Sequence, residues 1–397
     1  MSATPQASRP ILIAGGGIGG LAAAIALANA GFRCRVLELR ASPNEAGAGI
    51  QLGPNGTKAL RALGIDTALA ERAGRPEAIV VRDGLRGRVQ ARLPLGPEIA
   101  DRFGAPYWTA HRADLHAALS EVAARHPGIV LTHGFTAGRL EATEGGVKII
   151  SDAGGEATGG ALIGADGLWS KIRSYVAGSR QPRFTGRRAY RAVIPAASAA
   201  PVLTGNVVGL WLLRRCHVVH YPVRGGTEIA LVVVLHETAP RETWSEPADR
   251  DQLLDRLRKL LDPERVDALA GAERWNAWDL FELPQLPAWS NGRVVLMGDA
   301  AHPMQPFLAQ GAVMALEDAL TLAPFMAATP GDLPTAFLNF EKARKARVTR
   351  VTRTAAANGR IYHAAGPIRL ARNGIMKALP GQRLMARYDW LYGWSPP

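Results

Sequence analysis

The sequence predicts a mixed α/β protein in which a nucleotide-binding layer is interrupted by an antiparallel sheet and followed by a helical C-terminus. Three observations predict it. Residues 11–38 run strand, glycine cluster, alanine-rich helix, second strand and acid, in the order of a βαβ dinucleotide-binding unit. From about Arg187 the chain turns to short β-rich runs spaced by turns. After Trp289 strand and helix patterns return, and beyond residue 340 the composition is helical and basic.

The βαβ unit opens with Ile11-Leu12-Ile13-Ala14, an apolar run that reads as a buried strand. Gly15-Gly16-Gly17-Ile18-Gly19-Gly20 satisfies G-x-G-x-x-G and marks the layer as Rossmann-like. Gly15 permits a tight turn out of the strand. Gly17 has no Cβ, so a pyrophosphate can approach the backbone. Gly20 lets the helix pack closely on the strands. Ile18 opens the helix, whose free N–H groups and positive dipole face the phosphates. Gly31 stands where the helix ends, a second strand covers 34–37, and Glu38 can accept hydrogen bonds from ribose hydroxyls. The unit alone does not separate NAD from FAD.

Further along, residues 46–56 hold so many glycines that they read as a loop in close approach to something else. Helices are expected over 57–63, closed by Gly64, and from His111 to about Arg125. Strands are expected at 78–81, 89–93, 129–132, 147–150 and 161–165, with 129–132 and 147–150 paired in a small antiparallel insertion. The antiparallel sheet takes 189–193, 207–213, 217–222 and 229–235, followed by a helix over 249–261. A buried strand at 293–297 and a long helix from Gly311 complete the pattern. No internal repeat is evident.

The length of 397 residues fits two domains, or one large domain with an insertion, and the 47% hydrophobic content supplies a sizeable core. Residues 1–10 are polar and do not read as a signal peptide, and no apolar run reaches the ~18 residues of a membrane span. Cys34 and Cys216 form no metal or redox spacing, so a cytoplasmic setting is expected, as monomer or homodimer, without nucleic-acid, membrane or metal partners. The formal charge is +13, and residues 342–397 carry twelve Lys/Arg against the single acid Asp389, a net +11. A nucleic-acid-binding tail is one reading. A solvated helix face is preferred, because no nucleic-acid-binding signature lies nearby and Trp390, Tyr392 and Trp394 look like docking residues.

Two further motifs narrow the cofactor. Gly164-Ala165-Asp166-Gly167-Leu168-Trp169-Ser170-Lys171-Ile172-Arg173 joins a strand end to a helix start. Gly298-Asp299-Ala300-Ala301-His302-Pro303 follows the 293–297 strand and leads through Gln310-Gly311-Ala312 to Glu317-Asp318. Together with the glycine cluster, these resemble the three signatures of the single-component FAD-dependent aromatic hydroxylases, which have the para-hydroxybenzoate hydroxylase fold. The resemblance covers nearly the whole chain. It implies an FAD-binding domain in three parts (1–75, 105–186 and 281–340), a substrate-binding sheet domain (187–280) joined by strands from 76–104, and basic C-terminal helices (341–397). It implies FAD contacts from Gly15, Gly17, Ile18, Gly20, Glu38, Arg40, Arg112, Asp166, Asp299, Gly311 and Ala312. In that scheme Glu38 holds the adenosine ribose, Arg112 lies near the pyrophosphate and ribityl region, Asp299 bonds the ribityl chain, and Gly311-Ala312 place helix N–H groups at the flavin ring. Read without the resemblance, Asp166 and Asp299 are simple helix caps, and His302 and Arg173 are structural.

The resemblance implies a tightly bound FAD reduced by transient NADH or NADPH. O2 then adds to form a flavin C(4a)-hydroperoxide, which hydroxylates a small aromatic acid. A phenol reacts best as it loses its proton, so a base near the hydroxyl is expected. On a strand, His217 and Tyr221 share one face and His220 takes the other. Cys216-His217-Val218-Val219-His220-Tyr221-Pro222 resembles the H-x-x-x-Y-P strand of the salicylate, 3-hydroxybenzoate and 6-hydroxynicotinate hydroxylases, in which this His and Tyr line the substrate pocket. His217 is the candidate base, Tyr221 the orienting group, and Gln51 a further pocket residue. Pro306 matches the family's flavin-flanking proline, whereas the 3-hydroxybenzoate 6-hydroxylase type carries Gln near there. Decarboxylative hydroxylation stays open. Competing readings are an epoxidase or oxidase of the same fold, an NAD-dependent dehydrogenase, a halogenase (which Trp275-Asn276-Ala277-Trp278 does not support) and a non-catalytic nucleic-acid binder.

Overall fold

Four consecutive apolar residues, Ile11–Ala14, make the inner strand around which the first layer is built, and all four are buried. A run without alternation is what a strand covered on both faces requires. It pairs in parallel with Cys34–Glu38 on one side and Ala161–Gly164 on the other. Ile129–His133 and Val294–Leu296 extend the layer in parallel, and the short Ser290–Asn291 adds an antiparallel edge. A computed structural model describes residues 9–41, 48–241 and 245–397 of the chain.

Two expectations are corrected here. Residues 129–132 do not belong to the small antiparallel insertion. Ile129–His133 is an edge strand of the parallel layer, with Cys34 opposite Ile129. The small sheet is instead Ala137–Thr143, Gly146–Ser151 and Glu156–Gly159. Its outer strands are too polar to read as strands alone and form by pairing with the apolar middle one. The glycine-rich 46–56 stretch is the second correction. Ala46 and Gly47 lie outside the described residues, but Gly49–Leu52 is a strand paired antiparallel with Trp108–His111. Pro54–Ala62 is already helix, with Pro54 in the first turn, where its missing N–H costs nothing. The close approach implied by the glycines is real: a Cβ on Gly49 would stand 2.6 Å from the Tyr221 ring.

The second layer has eight strands, in the order Ser245–Ala248, Trp275–Glu282, Arg183–Pro195, Glu228–His236, Cys216–Val223, Val207–Leu213, Ala78–Asp83 and Val89–Pro94. Alternation assigns its two faces. Tyr190, Ala192, Trp211, Cys216, Val218 and Leu231 pack on helices Arg250–Arg258 and Pro263–Ala270. Leu210, Leu212, Tyr221 and Ala230 join the core shared with the nucleotide layer. The expected single helix over 249–261 is two helices, capped by Asp249 and Asp262.

Gly311–Ala328 packs against helices Ile18–Asn29, Pro54–Ala62 and Leu333–Tyr362. By length and mean hydropathy it would suffice to cross a membrane, yet most of it is buried as a core helix. It carries Glu317 and Asp318, both 0% exposed. Buried carboxylates need partners, and these come from the basic C-terminal region. Arg344 donates through Nε to Asp318 Oδ1 and through Nη1 to Glu317 Oε2, each at 2.7 Å. Arg347 grips Glu317 with two bonds of 2.7 Å and also donates to the carbonyls of Trp390 and Leu391. The solvated-face expectation therefore fails for these two arginines. Tyr392 is buried against Phe103 and Tyr107, and Trp390 lies under Arg350.

Candidate active site

The three fingerprint glycines do different physical work. Gly15 has φ +104, and a Cβ there would meet the Ala165 carbonyl at 2.4 Å. A Cβ on Gly20 would stand 1.9 Å from the Gly15 carbonyl, so this glycine serves helix-on-strand packing. A Cβ on Gly17 would meet nothing within 4 Å among the described residues. That open side faces a cleft of about 720 Å³. Ile18 is buried at the start of a helix with no side-chain cap, which leaves first-turn N–H groups available.

Glu38 and Arg40 line one part of the cleft, and Arg112, Asp166 and Asp299 line another. Glu38 Oε2 accepts the Gly16 N–H at 2.6 Å and Oε1 accepts the Arg40 N–H at 2.9 Å. Asp166 Oδ2 accepts the N–H groups of Lys171 and Ile172, at 2.8 and 3.2 Å, so this oxygen does cap the following helix. Its Oδ1 is buried with no partner among the described residues. Burial pushes the Asp166 carboxyl up, against hydrogen bonds from Ser170 and the backbone. Asp299 lies open on the cleft wall. Arg173, read from sequence as structural, ties these loops together. It donates to the carbonyls of Leu168 and Ala300 at 2.8 Å and to that of Asp299 at 3.3 Å.

Gln51, His217, Tyr221 and Pro306 do not line this cleft; His217 and Tyr221 share the inner face of the eight-stranded sheet, Gln51 stands beside Tyr221, and Pro306 leads into Phe307, which packs on His217. Tyr221 lies against Gly49, and burial pushes its hydroxyl up to about 12. Gln51 Oε1 accepts the Tyr107 hydroxyl at 2.7 Å. His217 sits against Phe307 and Tyr362, with centroids at 5.3 and 5.6 Å, and Phe307 follows Pro306. The turn after Pro306 holds Ala309 at φ +52. Gly311 then opens its helix without a side-chain cap, and Gly311 and Ala312 are half-buried. Gln305, next to Pro306, is tied to Arg187 at 2.8 Å and to Glu282 at 2.9 Å.

Sequence reasoning missed Arg191, Tyr107, His363 and His236. Arg191 shares the inner face with Tyr221. Its Nε is buried without a partner among the described residues, and its guanidinium lies 5.2 Å from the Trp278 ring centroid. Its only sequence signal was a charge inside an apolar strand. His220, on the opposite face as expected, bonds the Leu203 carbonyl at 3.0 Å and packs on Trp211.

Burial, then Arg187, lowers His217 from 6.5 to about 3, and burial lowers His220 to about 4. Both rings stay neutral in the fold while the unfolded chain takes up protons below 6.5. Stability is therefore intact above that pH and is lost as pH falls toward the folded-state values. At pH 5 the two rings together cost on the order of 4 kcal/mol. Urea midpoints taken from pH 7.5 to pH 5 should drop accordingly; a flat profile would contradict this.

Comparison with known proteins defines the class. The FAD binding domain family matches residues 8–355, and the chain belongs to it. It is a single-component FAD-dependent monooxygenase of the aromatic hydroxylase type, using NAD(P)H and O2. It is 39% identical over 395 residues to the 3-hydroxybenzoate 6-hydroxylase of Polaromonas naphthalenivorans, covering 100% of this chain and 98% of that one. It is 35% identical over 392 residues to 3-amino-4-hydroxybenzoate 2-monooxygenase PtmB3 of Streptomyces platensis, covering 98% and 97%. The structure of Klebsiella pneumoniae HpxO with FAD and uric acid superposes with a TM-score of 0.85 at 26% identity, over 96% of each chain. The cleft fits FAD on its own observations: the open side of Gly17, the orphaned Asp166 Oδ1 and a length lined from Glu38 to Asp299.

Proposed function

We propose that this enzyme hydroxylates a phenolic aromatic carboxylic acid of the 3-hydroxybenzoate kind. The observation that carries this reading is a half-buried cation and a buried neutral imidazole on one face of one sheet: Arg191, whose Nε is shut from water without a partner among the described residues, and His217. A guanidinium with a desolvated, unpartnered N–H favours an anion, and a carboxylate suits its fork. A neutral imidazole can accept a phenolic proton. Tyr221, Tyr107 and Gln51 orient the ring, and Pro306 with Phe307 closes the wall toward the cofactor.

Bound FAD supplies the activated oxygen; the protein supplies position and proton control. Glu38 would hold the ribose, Arg112 the pyrophosphate region and Asp299 the ribityl chain. The uncapped N–H groups at Gly311 and Ala312 would offset negative charge on a flavin ring bound there. Segments 1–75, 105–186 and 281–340 form the cofactor domain, and 76–104 and 187–280 the substrate sheet. The free, buried cysteines Cys34 and Cys216 suit a cytoplasmic protein, monomeric or homodimeric.

The test is NAD(P)H oxidation over a panel of aromatic acids with product analysis. 3-Hydroxybenzoate should give hydroxylated product in step with NAD(P)H consumed. Benzoate and 3-cresol, each lacking one of the two recognised groups, should not. Peroxide release alone with every hydroxybenzoate would overturn the substrate reading and leave the FAD class untouched.

A further inference from the structure

Three histidines stand in one hydrogen-bonded line. His217 Nδ1 lies 2.8 Å from His363 Nε2, and His363 Nδ1 lies 3.1 Å from His236 Nε2. Ring centroids follow at 5.0 and 5.2 Å. The rings come from three elements far apart in sequence: strand Cys216–Val223, the C-cap of helix Leu333–Tyr362 and the last residue of strand Glu228–His236. Exposure rises along the line: His217 is 3% exposed, His363 is 8%, and His236 is at the surface. At the inner end, His217 Nε2 takes no hydrogen bond from the described residues, so that nitrogen is left for a ligand on the inner face. A purely structural polar pair needs two rings, not a third that reaches solvent.

We propose that His217, His363 and His236 form a proton relay that carries the substrate's phenolic proton between the buried site and bulk water. This rests on the reading that His217 meets the phenol. The line works with every ring in the Nδ1–H form. The phenolic O–H breaks and its proton forms a bond to His217 Nε2. His217 Nδ1–H passes to His363 Nε2, His363 Nδ1–H passes to His236 Nε2, and His236 Nδ1–H leaves to water. No electrons change hands. When the product phenol reforms, the proton returns along the same line, which restores the starting tautomers.

The surroundings favour passage over storage. Arg187 faces all three rings, Arg215 adds a second cation beside His236, and Arg360 stands near Arg187. Tyr362 and Phe307 complete the packing. Arg372 is drawn to the carbonyls of Ile361 and Tyr362 just ahead of His363. Glu282, the nearest acid to Arg187, is held by Gln305. Among the described residues no carboxylate bonds any of the three rings. Burial and these cations lower all three histidines, so no ring in the line is a place for the proton to stay. Nor do the three rings converge as metal ligands do: no such group occurs among the described residues.

The holoenzyme tests this with 3-hydroxybenzoate as probe and a pH-indicator dye in weak buffer. His363→Phe keeps a ring in the wall but removes the middle nitrogens. His236→Asn alters only the exposed end and does not threaten the fold. Both variants should keep FAD and wild-type melting. Both should slow phenolic proton release, and coupled hydroxylation with it, at least tenfold, and added imidazole should rescue His236→Asn. Wild-type proton release in both variants, with His217→Ala still losing coupled product, would overturn the relay and leave His217 as the base. Unchanged hydroxylation in His217→Ala would overturn the base assignment and the relay together.

Discussion

Replacing Arg344 with methionine is expected to lower the unfolding free energy by about 3–5 kcal/mol, the usual cost of removing one partner from a buried ion cluster. Arg344 is 2% exposed and bonds both Glu317 and Asp318. Burial pushes the Asp318 carboxyl up, but His302 and Arg344, with the Gly298 N–H, outweigh it and hold it at about 2. Without Arg344, Asp318 keeps only His302 and Gly298, and Glu317 keeps Arg347 and Asn55. Methionine fills much of the space, so the loss reports charge and not cavity. Because Asp318 anchors the Gly298 N–H at 2.9 Å, beside Asp299, FAD affinity should fall as well. Urea denaturation of the holoenzyme, with flavin release followed in parallel, measures both. A loss below about 1 kcal/mol would show that the two carboxylates are satisfied without Arg344.

His217→Ala is expected to keep FAD and to consume NAD(P)H, while coupled hydroxylation falls by about 10²–10⁴, the range for a positioned proton acceptor. His217 does not line the cofactor cleft, so the effect should sit on product yield and not on flavin content. Peroxide should account for the missing product. A product yield equal to wild type would take His217 out of the mechanism.

What could be read in advance was local. The βαβ unit needs only neighbours in sequence, so its strand, glycines and Glu38 were legible. Strand alternation placed His217 and Tyr221 on one face and His220 on the other, and the sheet keeps that arrangement. The polar hairpin strands Ala137–Thr143 and Glu156–Gly159 were hidden because pairing, not composition, forms them. Gly49–Leu52 read as a loop because Gly49 answers to Tyr221, far along the chain. Arg344 and Arg347 read as surface charges because the acids they neutralise sit on another helix. His363 joins His217 across 146 positions, a separation over which no motif runs.

The parallel layer draws its strands from residues 11–38, 129–164 and 290–296, and the acids behind it wait for Arg344 and Arg347. A nascent chain leaving the ribosome therefore carries the glycine cradle long before the strand that completes its sheet exists. Distant pairings of this kind slow assembly and leave apolar edges uncovered meanwhile. Flavin capture must follow synthesis of the chain through Arg344 and Arg347, and truncations ending before Arg344 should yield colourless, chaperone-bound material.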